Sequence, residues 1–368
     1  MVMGPRQTGK TTAIKQAVGA SGMAHRVASA DSATTLTGDW IEMEWRQARS
    51  LAQSNGTAVL VLDEIQKVAG WSETVKALWD EDSWNDVPLV VVLSGSSSLL
   101  LGSGLTESLA GRFELLRSTH WSLAEMQEAF GYTLDDYLMF GGYPGAAILK
   151  NDVDRWREYM RDSIVESTIA RDVLQMEDVR KPSLMRALFE LGAQYSAQEI
   201  SYRKLLGQLD DKGNTDTVRH YLDLLSRAGI MSGLQKYDAK QLRSRASSPR
   251  LMVHDPSLMF SMWHGDGDLL TDSSLRGHLV ETAVGARLLA RSAVEGFDLY
   301  WWRDGDLEVD FVAKRSDGAV AAIEVKSGRV SKSGLSEFIK RSPDANPMVI
   351  GDRNTSIEQF LRDEVALF

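Results

Sequence analysis

The octapeptide Gly4-Pro5-Arg6-Gln7-Thr8-Gly9-Lys10-Thr11 constrains this chain more than any other stretch. It fits the spacing G-x-x-x-x-G-K-[ST], a loop entered from a strand and left through a helix. The glycines let backbone N–H groups turn inward around phosphate oxygens. The helix starting near Lys10 points its positive end at the same anion. In such a loop the lysine reaches the β- and γ-phosphates and the hydroxyl after it ligates Mg²⁺. Gly4, Pro5, Arg6, Gln7, Thr8, Gly9, Lys10, Thr11 and Thr12 are therefore the expected contacts of a nucleoside triphosphate, with Thr11 on the metal.

A second element answers the first. Ala58-Val59-Leu60-Val61-Leu62-Asp63-Glu64 is an apolar strand ending in two carboxylates. The carboxyl ends of strands are where open α/β sheets bind ligands. Asp63 is expected to hold Mg²⁺ through its water shell and Glu64 to polarise the attacking water. A third strand, Leu89–Leu93, runs into Ser94-Gly95-Ser96-Ser97-Ser98. The Ser94 hydroxyl would sense the γ-phosphate, or simply belong to a serine-rich turn. Arg112 follows a glycine turn in Ser108-Leu109-Ala110-Gly111-Arg112-Phe113. It would stabilise transition-state charge, in cis or from a neighbouring subunit, or form a surface ion pair. Arg171, beside Asp172, is a weaker candidate for the same role.

These motifs lie within a sequence of 368 residues, enough for two or three domains. Hydrophobic residues make up 43% and charged residues 25%, an ordinary globular balance. With no cysteine, disulfides and thiolate metal sites are excluded. Six scattered histidines lack zinc-ligand spacing. No apolar run approaches the roughly 18 residues of a membrane span, and no signal peptide opens the chain, so a cytoplasmic protein without membrane contact is expected. The net charge is −10, which argues against indiscriminate polyanion binding. Residues 201–250, however, hold ten Lys/Arg against five Asp/Glu, a basic island in an acidic chain. Such a field acts locally, over a Debye length of about 8–10 Å.

Three regions differ in pattern. Residues 1–120 alternate strands (26–30, 58–63, 89–94) with helices (11–20, 40–54, 73–81). Residues 121–250 are mainly helical. From about 275 the order is helix (275–292), three strands (297–303, 307–314, 319–326), helix (331–340) and strand (347–351).

The residues Gly4–Thr12, Leu62–Gln66 (L-D-E-I-Q), Ser94–Ser97 (S-G-S-S) and Ser108–Arg112 (S-L-A-G-R) resemble the AAA-type ATPases of bacteria and archaea. More narrowly they resemble the group with an uncharacterised C-terminal domain. Phe140–Gly145 (F-G-G-Y-P-G) is similar to that group's lid. The resemblance spans nearly the whole chain. It implies ATP as the nucleotide and a helical, winged-helix-like middle. One departure is the start: only Met1-Val2-Met3 precede Gly4, so the strand feeding the loop is expected to be abbreviated or the start truncated.

The middle reads helix (183–194), helix (202–209), turn (210–214) and helix (215–228) with Thr215 as N-cap. Two strands follow (231–237, 250–254), flanking a basic loop with Lys236, Lys240, Arg243, Arg245 and Arg250. In a winged helix the third helix enters the major groove and the wing follows the backbone. Thr217, Arg219 and His220 are then the groove-facing candidates, although winged helices also serve as protein adaptors.

The last region has the element order of the PD-(D/E)xK nucleases. Glu281 lies on its helix, Asp310 on its second strand, and Glu324 and Lys326 on its third. Residues i and i+2 of a strand share a face, so Glu324 and Lys326 would point to one site. Asp310 and Glu324 would chelate Mg²⁺, Lys326 would position the attacking water or neutralise charge, and Glu281 would support a metal-bound water. The resemblance to restriction endonucleases rests on Asp310 and Glu324-Val325-Lys326. Of Trp301 and Trp302, tempting as a base-stacking pair, alternation sends one to the core.

The expected fold is α/β: a P-loop AAA-type ATPase core (1–120), a helical lid (121–178), a winged helix (179–256) and a restriction-endonuclease-like domain (257–368). The expected function is ATP hydrolysis coupled to action on DNA, with or without cleavage by the last domain. The alternative is a nucleotide-switched DNA-binding or signalling protein on an inert nuclease-like scaffold. A homo-oligomer follows if Arg112 acts in trans.

Overall fold

The computed structural model describes residues 1–33, 36–95, 109–174, 179–209, 214–238, 248–265, 268–326 and 334–368. The chain divides into two compact units, Met1–Ser118 and Thr119–Phe368.

The first unit is built on a parallel five-stranded sheet. Its strands are β1 (Val2–Met3), β2 (Ala24–Ser29), β3 (Ala58–Asp63), β4 (Leu89–Gly95) and β5 (Leu116–Arg117), in the order β2-β3-β4-β1-β5. The helices are α1 (Lys10–Ser21), α2 (Gly38–Asn55) and α3 (Trp71–Trp84). β3 is buried along its whole length, as a strand covered on both faces must be. Its side chains alternate. Val59 and Val61 pack with Ile14 and Val18 of α1. Leu60 and Leu62 pack with Trp40, Ile41 and Trp45 of α2 and with Trp71 and Val75 of α3. The buried positions of α2 (40, 41, 44, 45, 48, 52) recur at helical spacing, and Gly56 ends it in the left-handed region.

β1 is short but holds the position a loop-feeding strand needs. It lies between β4 and β5, pairing Val2 with Ser94 and with Leu116.

The second unit begins with α4 (Leu123–Phe130), α5 (Leu134–Phe140), α6 (Pro144–Ala147) and α7 (Val153–Tyr159). The chain continues in π-wound turns over Met160–Glu166 and Thr168–Val173. Then come α8 (Pro182–Gln194), α9 (Tyr202–Gln208), α10 (Thr215–Arg227), β6 (Met231–Lys236) and β7 (Arg250–Val253). The last part holds α11 (Pro256–Ser261), α12 (Ser273–Glu295), β8 (Phe297–Asp304), β9 (Leu307–Arg315), β10 (Val320–Val325), α13 (Leu335–Arg341), β11 (Asn346–Ile350) and α14 (Ile357–Leu361). One sheet, in the order β11-β10-β9-β8-β6-β7, runs through it. β6 pairs in parallel with β8 and antiparallel with β7, so the hairpin after α10 is continuous with the C-terminal sheet.

Two local expectations are corrected. The N-cap of α10 is Asn214, not Thr215; its side chain accepts from the Thr217 N–H at 2.8 Å. Trp301 and Trp302 are both buried, at 1% and 7% exposure. A register shift between Tyr300 and Trp302 breaks the alternation that would have turned one outward.

Among the described residues no helix is long and apolar enough to cross a membrane.

Candidate functional site

The loop at the end of β1 adopts the shape its glycines permit. Gly9 takes φ +84° and precedes the first turn of α1. At Gly4 a side chain has no room, since a Cβ would lie 2.2 Å from the Ser118 carbonyl oxygen. The Thr8 hydroxyl donates to the Pro5 carbonyl at 3.0 Å and lies 3.2 Å from Ser118 Oγ. Ser118, 110 residues distant, thus braces the loop. The Lys10 ammonium donates to the carbonyls of Gly4 (3.0 Å) and Pro5 (2.5 Å). The charge is held inside the loop by the backbone it must serve.

Three elements then converge on one carboxylate. Asp63 closes β3 and is 8% exposed. Thr11 of α1 donates to its Oδ2 at 2.9 Å, and Ser94 of β4 donates to its Oδ1 at 2.5 Å. Parallel pairing of β3 with β4, Leu62 opposite Leu93, brings Asp63 and Ser94 together. A carboxylate with two hydroxyls is a hard oxygen donor set, suited to Mg²⁺.

Glu64 turns the chain sharply at φ +54°, outside the region most side chains favour. Such strain costs about 1–3 kcal/mol and gathers at working sites. Gln66 Nε2 donates to Glu64 Oε2 at 2.7 Å, and Lys67 Nζ lies 3.9 Å from the same oxygen. Lys67 also pairs with Asp31. Gln66, Lys67, Asp31 and Ser118 are the neighbours that motif reading did not supply.

Arg112 is engaged by α3. Its Nε donates to Asp80 Oδ1 at 2.9 Å, and its guanidinium lies over Trp79, 5.7 Å from the ring centroid. Within one chain the ion-pair alternative is the one seen. Ser96, Ser97 and Ser108 lie outside the described residues.

In the second unit, the glycines of Phe140–Gly145 make a seam. A Cβ on Gly142 would fall 2.2 Å from the Trp121 carbonyl oxygen, and the Gly142 N–H donates to Asp255 Oδ2 at 2.8 Å. Asp255 caps α11 through the Ser257 N–H at 3.0 Å. Burial pushes its carboxyl up to about 6, against the hydrogen bonds from Ser257 and Gly142.

The exposed side of α10 carries Arg219 and His220 as expected, with Thr217 half-buried. It is charge-balanced, however. Arg219 pairs with Asp216 at 3.0 Å and Arg227 with Asp223 at 3.8 Å. Lys240, Arg243 and Arg245 lie outside the described residues, whereas Lys236 ends β6. Arg250 is not on the surface: it is 3% exposed, paired with Glu308 and 3.6 Å from Asp310 Oδ1.

The four C-terminal candidates are only partly brought together. β9 and β10 pair Ile323 with Phe311, the residues next to Glu324 and Asp310 in their strands. Asp310 Oδ2 accepts from the Val325 N–H at 2.8 Å. Burial pushes the Asp310 carboxyl up while the Arg250 charge pulls it down. Glu324 is buried, but Lys326 lies one residue past β10 and is exposed. Glu281 of α12 is near enough to Arg250 to act on its charge. Among the described residues no three His, Asp or Glu side chains form a group able to hold a metal ion.

Comparison with known proteins adds three matches along the chain. Residues 1–127 match the model of an AAA domain. Residues 131–268 and 276–363 each match a domain of unknown function, DUF8612 and DUF4143. An uncharacterized protein of Methanocaldococcus jannaschii is 27% identical over 276 residues, which are 70% of this chain and 58% of that protein. One of Mycobacterium tuberculosis is 27% identical over 350 residues, 92% of this chain and 72% of that one. The chain thus spans somewhat over half the length of the first of these relatives. Among solved structures, the Walker-type ATPase of Pyrococcus abyssi aligns with a TM-score of 0.49 at 13% identity, over 71% of this chain and 89% of that one. With the phosphate loop and its acidic strand end in place, residues 1–127 are an AAA domain of the P-loop ATPase type.

Proposed function

We propose that this chain binds and hydrolyses ATP at the end of β1, and that the nucleotide state governs its hold on DNA. The convergence of Thr11, Asp63 and Ser94 beside the loop carries the first half of the reading. Thr11 and Asp63 would hold Mg²⁺, which when bound neutralises phosphate charge. Lys10 binds the β- and γ-phosphates, exchanging its carbonyl partners for phosphate oxygens. Glu64, oriented by Gln66, accepts a proton from water aligned with the γ-phosphate. Ser94 reports whether that phosphate is present to the strand it ends. Arg112 serves a neighbouring copy after leaving Asp80, which makes the active form an oligomer.

The second half rests on the order α8, α9, α10, β6, β7. Backbone bonds from the Ala197 N–H to Leu251 and from the Ile200 N–H to Pro249 flank an isolated antiparallel bridge, Glu199 with Arg250, at the start of β7. This order supports a winged-helix reading, in which Arg219 and His220, exposed on the third helix, would face the DNA. The division into lid, winged helix and nuclease-like domain is part of the same proposal. The balanced face of α10 leaves phosphate affinity to Lys236, Lys240, Arg243 and Arg245.

Steady-state ATP turnover, with and without DNA, tests the reading. Lys10→Ala is expected to lower kcat/KM by about a hundredfold or more, the scale of removing a preorganised charge from a transferring phosphoryl group. Glu64→Gln is expected to keep nucleotide affinity and lose turnover. Undiminished hydrolysis by Lys10→Ala overturns the site.

A further inference from the structure

Four carboxylates and two arginines meet where β7 reaches the C-terminal sheet. Arg250 opens β7, yet it is buried, at 3% exposure. It pairs with Glu308 and lies 3.6 Å from Asp310 Oδ1. It also donates to the Asp310 carbonyl oxygen at 3.1 Å. Arg303 pairs with the other oxygen of Glu308 and with Glu199. The two guanidiniums lie 5.5 and 5.6 Å from the centroid of the Trp301 ring, and Arg250 is 6.0 Å from that of Phe311. Glu281 adds its field to that of Asp310 on Arg250.

A catalytic Mg²⁺ at Asp310 and Glu324 needs carboxylate oxygens turned to a shared, hydrated point. Here one Asp310 oxygen accepts from the Val325 N–H and the other faces Arg250. A guanidinium remains charged at every relevant pH and offers five fixed donors. Bringing a divalent cation to the same place would set two positive centres together in a poorly hydrated interior. Expelling Arg250 would leave buried carboxylate charge unpaired, which is strongly unfavourable. The donor set of this cluster therefore does not fit the expected metal.

We propose that Arg250 is a built-in cation standing where the nuclease-like pattern calls for Mg²⁺. The Asp310 cluster is a lock between β7 and β9 rather than a hydrolytic centre. DNA reaching this unit is bound and left intact. This proposal is independent of the nucleotide site, whose failure would not touch it.

The test is a titration of the full nucleotide-free chain with Mn²⁺ by calorimetry and with Tb³⁺ by tryptophan-sensitised luminescence, since Trp301 borders the cluster. Plasmid nicking in Mg²⁺ or Mn²⁺ is assayed in parallel. Wild type and Asp310→Asn should show the same metal binding and no metal-dependent nicking. Arg250→Met, which keeps an unbranched apolar stem and removes the charge, should bind Tb³⁺ at least about tenfold more tightly, as unpaired carboxylates do. Adding Asp310→Asn should abolish that gain. If Arg250→Met fails to fold, judged by circular dichroism, the wild type and Asp310→Asn comparison decides alone. Metal binding or nicking by the wild type that is lost in Asp310→Asn overturns the proposal. So does a folded Arg250→Met without the gain.

Discussion

His254 and Asp255 are adjacent and titrate in opposite senses. Burial pushes the Asp255 carboxyl from 3.8 up to about 6 and the His254 imidazole from 6.5 down to about 4. The raised carboxyl contributes stability that is complete below pH 3.8 and lost as pH rises through about 6. The depressed imidazole contributes stability that is complete above pH 6.5 and lost as pH falls through about 4. Each two-unit shift is worth about 3 kcal/mol. In wild type the two largely offset between pH 4 and 6. Urea unfolding at stepped pH should therefore show Asp255→Asn losing stability on acidification relative to wild type, and His254→Gln gaining it. Parallel profiles for all three proteins would refute the pairing. The positions that form the candidate site were legible where its residues are neighbours in the chain. Gly4 to Thr11 and Asp63-Glu64 are contiguous runs whose spacing carries the site. Gln66 stood inside the acidic motif with no signal for its bond to Glu64. Arg250 lies in a basic stretch of the sequence, and its partners, Glu308 and Asp310, are about sixty residues on, beyond the reach of local pattern.

Elements were legible wherever burial imposes a period. β3, α1, α2 and α10 lie within a residue or two of expectation, since each buries one coherent set of apolar side chains. Expectation failed where an irregular feature intervenes, as at the Tyr300–Trp302 shift that buries both tryptophans. The F-G-G-Y-P-G motif shows how an element boundary is enforced. In Gly142→Ala the new Cβ would press on the Trp121 carbonyl, a backbone atom that cannot swing aside. The N–H bond to Asp255 would be strained as well. A loss of about 2–3 kcal/mol is expected, as for overpacking in a buried site. Gly207→Ala, in α9 with nothing within 4 Å of the added methyl, should instead gain about 0.5–1 kcal/mol. Thermal unfolding of both variants checks the contrast, and equal melting temperatures would contradict it.

At the scale of the molecule, charge distribution bears on partners. Of the ten basic residues in 201–250, Arg250 is neutralised internally, and Arg219 and Arg227 face aspartates on their own helix. Counterion release should then come from the remaining basic residues. Replacing Lys236, Lys240, Arg243 and Arg245 with Ala or Gln is expected to reduce the slope of log K against log salt by about 3–4, near 0.9 per phosphate contact. Fluorescence anisotropy between 50 and 200 mM salt measures that slope. An unchanged slope would remove DNA from the proposal.

The sequence by itself determined the phosphate loop, the acidic end of β3 and the layering of the first unit. Those features depend on short spacings and on side-chain alternation, which are properties of neighbours along the chain. Only the tertiary structure decided what the C-terminal carboxylates face. Strand order brought β7 into the same sheet as β8 and β9, and with it a guanidinium into the place a metal was expected to take. A motif specifies which groups are present, and the fold specifies which opposite charge reaches them first.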